Sequence, residues 1–359
     1  MKPTDLMEQN EHRHARPLRY IERCTSGFSF FRANEMSLYK KPHLSFTEQL
    51  NLLKSRGLEV TDEETAKNYL HRLGYYRLSG YWYPFRAPIP FEKQSEKTSS
   101  KREDYFLPDA KFEDAVNLYV FDKKLRLLIM DAIERIEVAV RVDIAYLLGE
   151  YDTFAHHKPE FLHGNFTKKL NPRTGITFYE EWLNRYEQQV HRSKEDFVFH
   201  YKEKYGLPLP IWVAVELWDF GLLSVFFNGM RVQDKSIIAQ RYKISNWKVM
   251  ESWLRTLNYA RNVAAHHSRL WNRNLIDQPR LAKIGEMPDF DHVTGDTHSI
   301  SRVYITLCIV TYFLKIICPK SAWPSRLKSL LNDFPNSKYL NLSDMGFPSN
   351  WLNHSLWEE

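Results

Sequence analysis

From residue 109 to residue 149 the chain runs without a proline or an internal glycine while its apolar residues recur at helical spacing. Such a stretch commits the fold to helix, because proline and glycine are the residues that interrupt one. It reads as one long helix or two end to end, with Asp109 standing where an N-cap is expected. The rest of the sequence supplies partners of the same kind. Ser45 with Glu48 forms a capping box before a short helix that Gly57 ends, and Asp62 caps a second that ends at Gly74. Further helical periods cover about 178–191, 194–205, a stretch after Pro210, and 233–241. Ser245 is placed to cap a long helix that follows. The fold expected is all-α, with few and short strands.

Residues 1–40 show no clear period and read as an N-terminal extension. Residues 41–108 contain the helical pair, an aromatic and basic segment, and a polar stretch at 88–103 expected to be an exposed loop. Residues 109–359 form the main helical domain. The apolar run 303–318 is too short to span a membrane and contains Lys315, so it reads as a buried C-terminal helix. The opening MKPTDLMEQNEHRHARPLRY has no apolar run, and no signal peptide is expected. Three cysteines, Cys24, Cys308 and Cys318, are too few and scattered for a disulfide framework or a zinc site, which points to a reducing cytoplasm.

Residues 246–273 carry the densest chemistry. On a helical wheel Trp253, Leu257, Ala260, Ala264 and Trp271 fall on one stripe, which must be core. Arg255, Asn258, Asn262, His266, Arg269 and Arg273 fall on the opposite one. This second stripe is a file of donors with no carboxylate among them, and a phosphate would suit it. His266 sits one turn beyond Asn262 on the polar side. His267 projects toward Ala260 and Ala264, where a histidine bonded against the core is the simpler reading, and that reading competes for His266 as well. Arg261 lies at the flank.

The chemistry that fits is attack of a ribose 2′-hydroxyl on its own phosphodiester. A histidine, with an ordinary pKa of about 6.5, is suited to moving the proton. A guanidinium supplies fixed positive charge where the phosphorane develops. One helix offers a single such set, so a second copy related by a two-fold axis is expected to complete the site. A net charge of +6 favours a polyanionic partner such as RNA.

The segment RNVAAH resembles the Arg-x4-6-His motif of HEPN-domain ribonucleases. Its continuation HHSRLWNR resembles the form found in Abi-like abortive-infection proteins of the AbiD/AbiF type. Further stretches agree in the same order: SFTEQLNLLKSRGLEV from Ser45, YLHRLGYYRLSGYWYPFR from Tyr69, LYVFDKKLRLLIMDAIERIEVAVR from Leu118, LPIWVAVELWDFGLLS from Leu209, and MGFPSNWLNHSLW from Met345. The resemblance implies a HEPN-type helical bundle, a role in defence against bacteriophage, and metal-independent RNA cleavage at a dimer interface, with no cofactor. Arg261 and His266 carry over as catalytic, with Asn262 as the polar residue that follows the motif's arginine. Many relatives have a cysteine where this chain has Ala264, and no step of the chemistry requires a thiol. The resemblance also allows control by an associated RNA or a neighbouring antitoxin protein, without selecting one.

Other candidates surround this set. Residues 74–86 interleave aromatics, Tyr81 and Trp82 among them, with Arg77 and Arg86, so the segment suits stacked bases and backbone phosphates. For most of these aromatics, filling the joint between the helical pair and the main bundle is the simpler reading. Together with Arg255, Arg269 and Arg273 they are the expected RNA-binding residues. Glu134 or Glu137 is placed to orient Arg261 if their helices pack side by side, although a plain Glu137–Arg141 surface pair predicts the same spacing. The His156–His157 pair has no ligand partner at metal-binding spacing. No Gly-rich phosphate loop, His-Glu-x-x-His, Cys-x-x-Cys or nucleophile elbow is present, nor a close acidic cluster for two metals. Two functions therefore stand: a dimeric endoribonuclease, or a non-catalytic protein that binds structured RNA through the same donors.

Overall fold

The computed structural model describes residues 41–90 and 101–358. The expectations for residues 1–40 and for the middle of the polar loop fall outside the described residues. The chain divides into a unit Met1–Leu44 and a compact unit Ser45–Glu359. The second unit is mainly α-helical.

It opens with α1 (Phe46–Ser55) and α2 (Glu63–Leu73). The capping box of Ser45 with Glu48 is formed, and Asp62 caps α2 by accepting from the Thr65 amide at 3.0 Å. Gly57 and Gly74 end the two helices with φ of 90° and 82°, angles that a side chain would strain. α3 (Tyr75–Trp82) then runs through a single 3-10 turn into β1 (Arg86–Pro88), which pairs antiparallel with β2 (Arg102–Phe106). The flanks of the expected loop are thus strands. Arg102 explains the pairing, since its guanidinium donates to the carbonyls of Pro84 and Arg86 at 2.9 and 2.6 Å.

The proline-free stretch is one helix, α4 (Phe112–Gly149), of 38 residues and about 57 Å. Lys111, not Asp109, is its N-cap. Asp109 adopts a left-handed φ of 61° and its carboxylate pairs with Lys338 at 2.6 Å, so it turns the chain into the helix instead of capping it. After α4 come α5 (Gly164–Thr167), α6 (Phe178–Arg192), α7 (Asp196–Tyr205), α8 (Ile211–Ala214), α9 (Phe220–Gly229) and α10 (Val232–Arg241). α11 (Trp247–Ala265), α12 (Thr297–Ile300), α13 (Val303–Ile317) and α14 (Trp323–Asn332) complete the unit.

α4 is the axis against which α3, α8, α9, α11, α13 and α14 pack. Its buried Leu125, Ile129, Ala132, Ile136, Val140 and Ile144 recur three or four residues apart and face these neighbours. The run expected to be a buried C-terminal helix is α13, fully covered from Val303 to Leu314. α14 is pinned to α4 by the Trp323 indole, which donates to the Leu128 carbonyl at 2.8 Å. Among the described residues no helix is long and apolar enough to cross a membrane.

Candidate active site

α11 holds the Arg-x4-His segment, and its end decides where the histidines stand. Asn246 caps its start by accepting from the Lys248 amide at 2.9 Å, in place of the expected Ser245. The helix stops at Ala265, with His266 as C-cap and His267 in the left-handed region at φ 54°. The amides of His267 and Ser268 donate back to the carbonyls of Ala264 and Val263, both at 3.0 Å, which is the two-bond closure such a residue permits. Glycine usually takes that place, so no residue type in the sequence marked the end. The helical wheel carried on to residue 273 therefore fails for Arg269 and Arg273, whereas Trp271, although past the helix end, is buried in the core as expected. His267 also departs from expectation, being exposed instead of lying against the core.

The chain that leaves α11 is held by a buried carboxylate. Asp122 on α4, 0% exposed, accepts from the amides of Leu270 and Trp271, from the Tyr81 hydroxyl at 2.7 Å, and from Arg126. Burial pushes its carboxyl up from the usual range, against the pull of Arg126, Tyr81 and the two amides. The Asp122–Arg126 spacing, which suits a weak surface pair, is in fact a core ion pair. Two further clamps come from outside α11. Arg77 donates to the His267 carbonyl at 2.7 Å, and Arg269 donates to the Gly80 carbonyl at 2.6 Å.

Several of the residues expected to contact RNA have partners within the fold. Arg77 and Arg269 tie α3 to the turn after α11, and Arg273 donates to the Tyr259 hydroxyl at 2.8 Å. Arg86 pairs with Asp104 at 3.2 Å beside the Phe106 ring. The polar stripe of α11 is not free of carboxylates either, because Glu251 lies on it and pairs with Arg255 at 2.9 Å and with Lys235 at 3.1 Å. Tyr81 and Trp82, 1% and 0% exposed, cannot stack on a base. They share a face of α3 with Leu78 at i, i+3, i+4 spacing and pack on Tyr119 and Phe112. The exposed ring of that segment is Tyr76, at 92%.

Arg261 lies half-buried among polar groups from four helices. Its guanidinium donates a long hydrogen bond to Asn262 Oδ1 at 3.4 Å, and Asn262 donates to Asn258 at 3.5 Å. From α4, Glu137 faces it electrostatically while ion-paired to Arg141, whose guanidinium also donates to the Trp218 carbonyl. Burial raises the Glu137 carboxyl, and the charges of Arg141 and Arg261 oppose that rise. The α9 N-terminus approaches from a third side, where Asp219 caps the helix by accepting from the Leu222 amide at 2.7 Å. A Cβ at Gly221 would stand 3.0 Å from Asp219 Oδ1, 3.6 Å from the Arg185 guanidinium on α6 and 3.8 Å from Asn258 Oδ1. The glycine lets these three side chains meet.

Of the two carboxylates expected behind Arg261, Glu137 is there, whereas Glu134 is exposed and makes no hydrogen bond with it. Arg185 and Asp219 were missed. The Asp-Phe-Gly of residues 219–221 was the available signal, an N-cap followed by a residue that permits close approach.

His266 is exposed at the end of α11, and its ring makes no hydrogen bond among the described residues. No bond links it to Arg261, which stands five residues and about 7.5 Å of helix rise before it. The arrangement thus offers a free imidazole, a half-buried guanidinium steadied by an amide, and a backbone fixed at both ends. Among the described residues no three His, Cys, Asp or Glu side chains cluster to hold a metal. The His156–His157 pair is packed against Tyr186, with His156 completely buried.

No curated protein and no solved structure matches the chain. The sequence pattern of the Abi-like protein family matches residues 68–272, more than half of the chain. The matched span runs from α2 through α3, whose Tyr81 and Arg77 brace the turn, to the Asn272 that follows the Asp122-bound amides. The chain belongs to the Abi-like protein family.

Proposed function

We propose that the protein acts in abortive-infection defence as a HEPN-type endoribonuclease that needs no metal and works as a two-fold dimer in the cytoplasm. The observation that carries this reading is the contrast around His266. Its ring is exposed and unbonded, while the backbone on either side is locked by the α11 closure, the Arg77 clamp and the Asp122 bonds. Bonds spent on fixing the base of an unbonded imidazole favour a role for the ring itself.

In this reading His266 takes the proton of a ribose 2′-hydroxyl as O2′ attacks the adjacent phosphorus. Arg261 stabilises the charge that builds on the non-bridging oxygens, and Asn262 holds the guanidinium. The P–O5′ bond breaks, and O5′ takes a proton from His266 of the partner subunit, which is why two copies are required. The products are a 2′,3′-cyclic phosphate and a 5′-hydroxyl. No cofactor enters. Control by a regulatory RNA or a neighbouring antitoxin is part of the same proposal.

The test is incubation of wild-type protein and His266→Ala with mixed cellular RNA in excess EDTA, followed by analysis of fragment ends. Cyclic phosphates made by the wild type alone support the reading. RNA bound but left intact by both proteins overturns it in favour of a non-catalytic structured-RNA-binding defence protein.

A further inference from the structure

α6 and the chain entering α8 enclose a groove of about 730 Å3. Its floor is apolar, with Val190 and Leu209, and its wall carries Tyr186, His157, Asn184 and Glu187. Two buried polar atoms have no hydrogen-bond partner: the hydroxyl of Tyr186, a residue 1% exposed, and Nε2 of His157. The two rings meet edge to face, 5.8 Å between centroids. Buried polar atoms are almost always bonded, so an unpartnered pair at the wall of a groove asks for a guest.

The chemistry of the wall narrows that guest. No lysine or arginine lines the groove, while the Glu187 carboxylate is exposed and forms no ion pair among the described residues. The Glu187 carboxylate would repel a phosphate or carboxylate there, and no fixed positive charge on the lining offsets it. Burial lowers the His157 pKa, so its imidazole is neutral and offers one donor and one acceptor. The guest is then an uncharged body with apolar faces and a hydrogen-bonding edge that presents N–H groups to a carboxylate. Among nucleobases guanine alone places two N–H donors, N1 and the 2-amino group, side by side for one carboxylate. Adenine and cytosine would set a ring-nitrogen acceptor against it, and uracil would flank its single N–H with two carbonyls.

We propose that this groove binds a guanine base, with Glu187 accepting from N1–H and the 2-amino group and with Tyr186 and His157 bonding the remaining polar atoms. Arg185 lies between Asn184 and Tyr186 in sequence and stands beside Asn258 and Asp219 of the Arg261 cluster, which places α6 between the groove and that cluster. As the base of an RNA strand the guest rests on the nuclease reading; as a free nucleoside it stands without it.

Titration calorimetry of the full chain with guanosine, inosine, adenosine and GMP tests this. Guanosine should bind at least tenfold more tightly than adenosine or inosine, and GMP no more tightly than guanosine. Glu187→Gln, an exposed substitution, should weaken guanosine at least tenfold with an unchanged circular dichroism spectrum, and Tyr186→Phe several-fold. Absence of guanosine binding, equal binding of all nucleosides, or an unaffected Glu187→Gln overturns the proposal. A short single-stranded RNA with one guanosine identifies the source: competition with guanosine assigns the base to a strand, and its failure to compete assigns a free nucleoside. Guanosine binding with all RNA intact keeps the groove and removes the nuclease; RNA cleavage without guanosine binding does the reverse.

Discussion

Asp122 Oδ1 lies 2.8 Å from the amide nitrogen of Trp271, a hydrogen bond between residues 149 apart in sequence. It converts the middle of α4 into an anchor for the chain that leaves α11. Because the same carboxylate takes the Tyr81 hydroxyl and the Arg126 guanidinium, three segments converge on one buried charge. The position of His266 then follows from groups that never touch it. A group meant to meet a substrate is best held in this way, on a rigid base with its own ring free.

Asp122→Ala should accordingly be among the most damaging single substitutions. It leaves Arg126 buried without a counter-charge and strips partners from the Tyr81 hydroxyl and two amides. Breaking a buried pair from one side costs about 3–5 kcal/mol. Urea unfolding should show that loss, while Glu134→Ala, on the exposed side of α4, should stay within about 0.5 kcal/mol of the wild type. A loss below about 1 kcal/mol for Asp122→Ala would mean the hub is not what fixes the turn.

The sequence shows the helical frame clearly, because periodicity and capping are local. Ser45 with Glu48, Asp62, and the uninterrupted run that became α4 were all legible from a few neighbouring residues. The end of α11 was not, since His267 takes a left-handed conformation that nothing local announces, stabilised by Arg77 from 190 residues away. Misplacing that end turned Arg269 and Arg273 into surface donors. Tyr81 was misread for a related reason. Its ring suits a base or a core equally well, and only the partner on α4 decides between them.

Acid should destabilise the fold through histidines kept neutral by burial. Burial lowers the His156 pKa to about 3, with the neighbouring His157 acting in the same direction. His292, half-buried and stacked on His354, is lowered to about 4. The unfolded chain protonates such groups near 6.5, so below that pH it binds more protons than the folded state. Stability should therefore fall from pH 6.5 downward, reaching its full loss near pH 4 for His292 and near pH 3 for His156. At pH 5 the His156 contribution amounts to about 2 kcal/mol. Neither ring nitrogen of His156 has a partner, so His156→Leu removes no hydrogen bond. Unfolding curves at pH 7 and pH 5 should lie closer together in this variant, and an unchanged separation would assign the acid limb elsewhere.

Arg261→Lys separates charge from geometry. Lysine keeps the positive charge but loses the planar fork that bonds Asn262 Oδ1 and that two phosphoryl oxygens would share. If the guanidinium stabilises the transition state, kcat should drop by about 10²–10³-fold with KM little changed. The partial burial of Arg261 makes thermal unfolding the necessary control, and a Tm within a few degrees of the wild type is expected. A rise in KM at constant kcat would give Arg261 a role in substrate binding only.

Single-stranded RNA should feel Tyr76 and not Trp82. Both lie on α3, but Tyr76 is 92% exposed while Trp82 is sealed against Tyr75 and Phe112. Tyr76 precedes Arg77, which is fixed on the His267 carbonyl, so a base stacked on it would lie close to the turn that carries His266. Stacking on one aromatic ring contributes about 1–3 kcal/mol. Tyr76→Ala should weaken binding of a short unpaired oligonucleotide to the uncleaving His266→Ala protein by roughly tenfold or more, leaving unfolding unchanged. Trp82→Phe should do the opposite, lowering stability while affinity holds. Equal affinities in the Tyr76 pair would leave α3 a purely structural brace, and the RNA would have to be gripped from the α6 and α9 side of the Arg261 cluster.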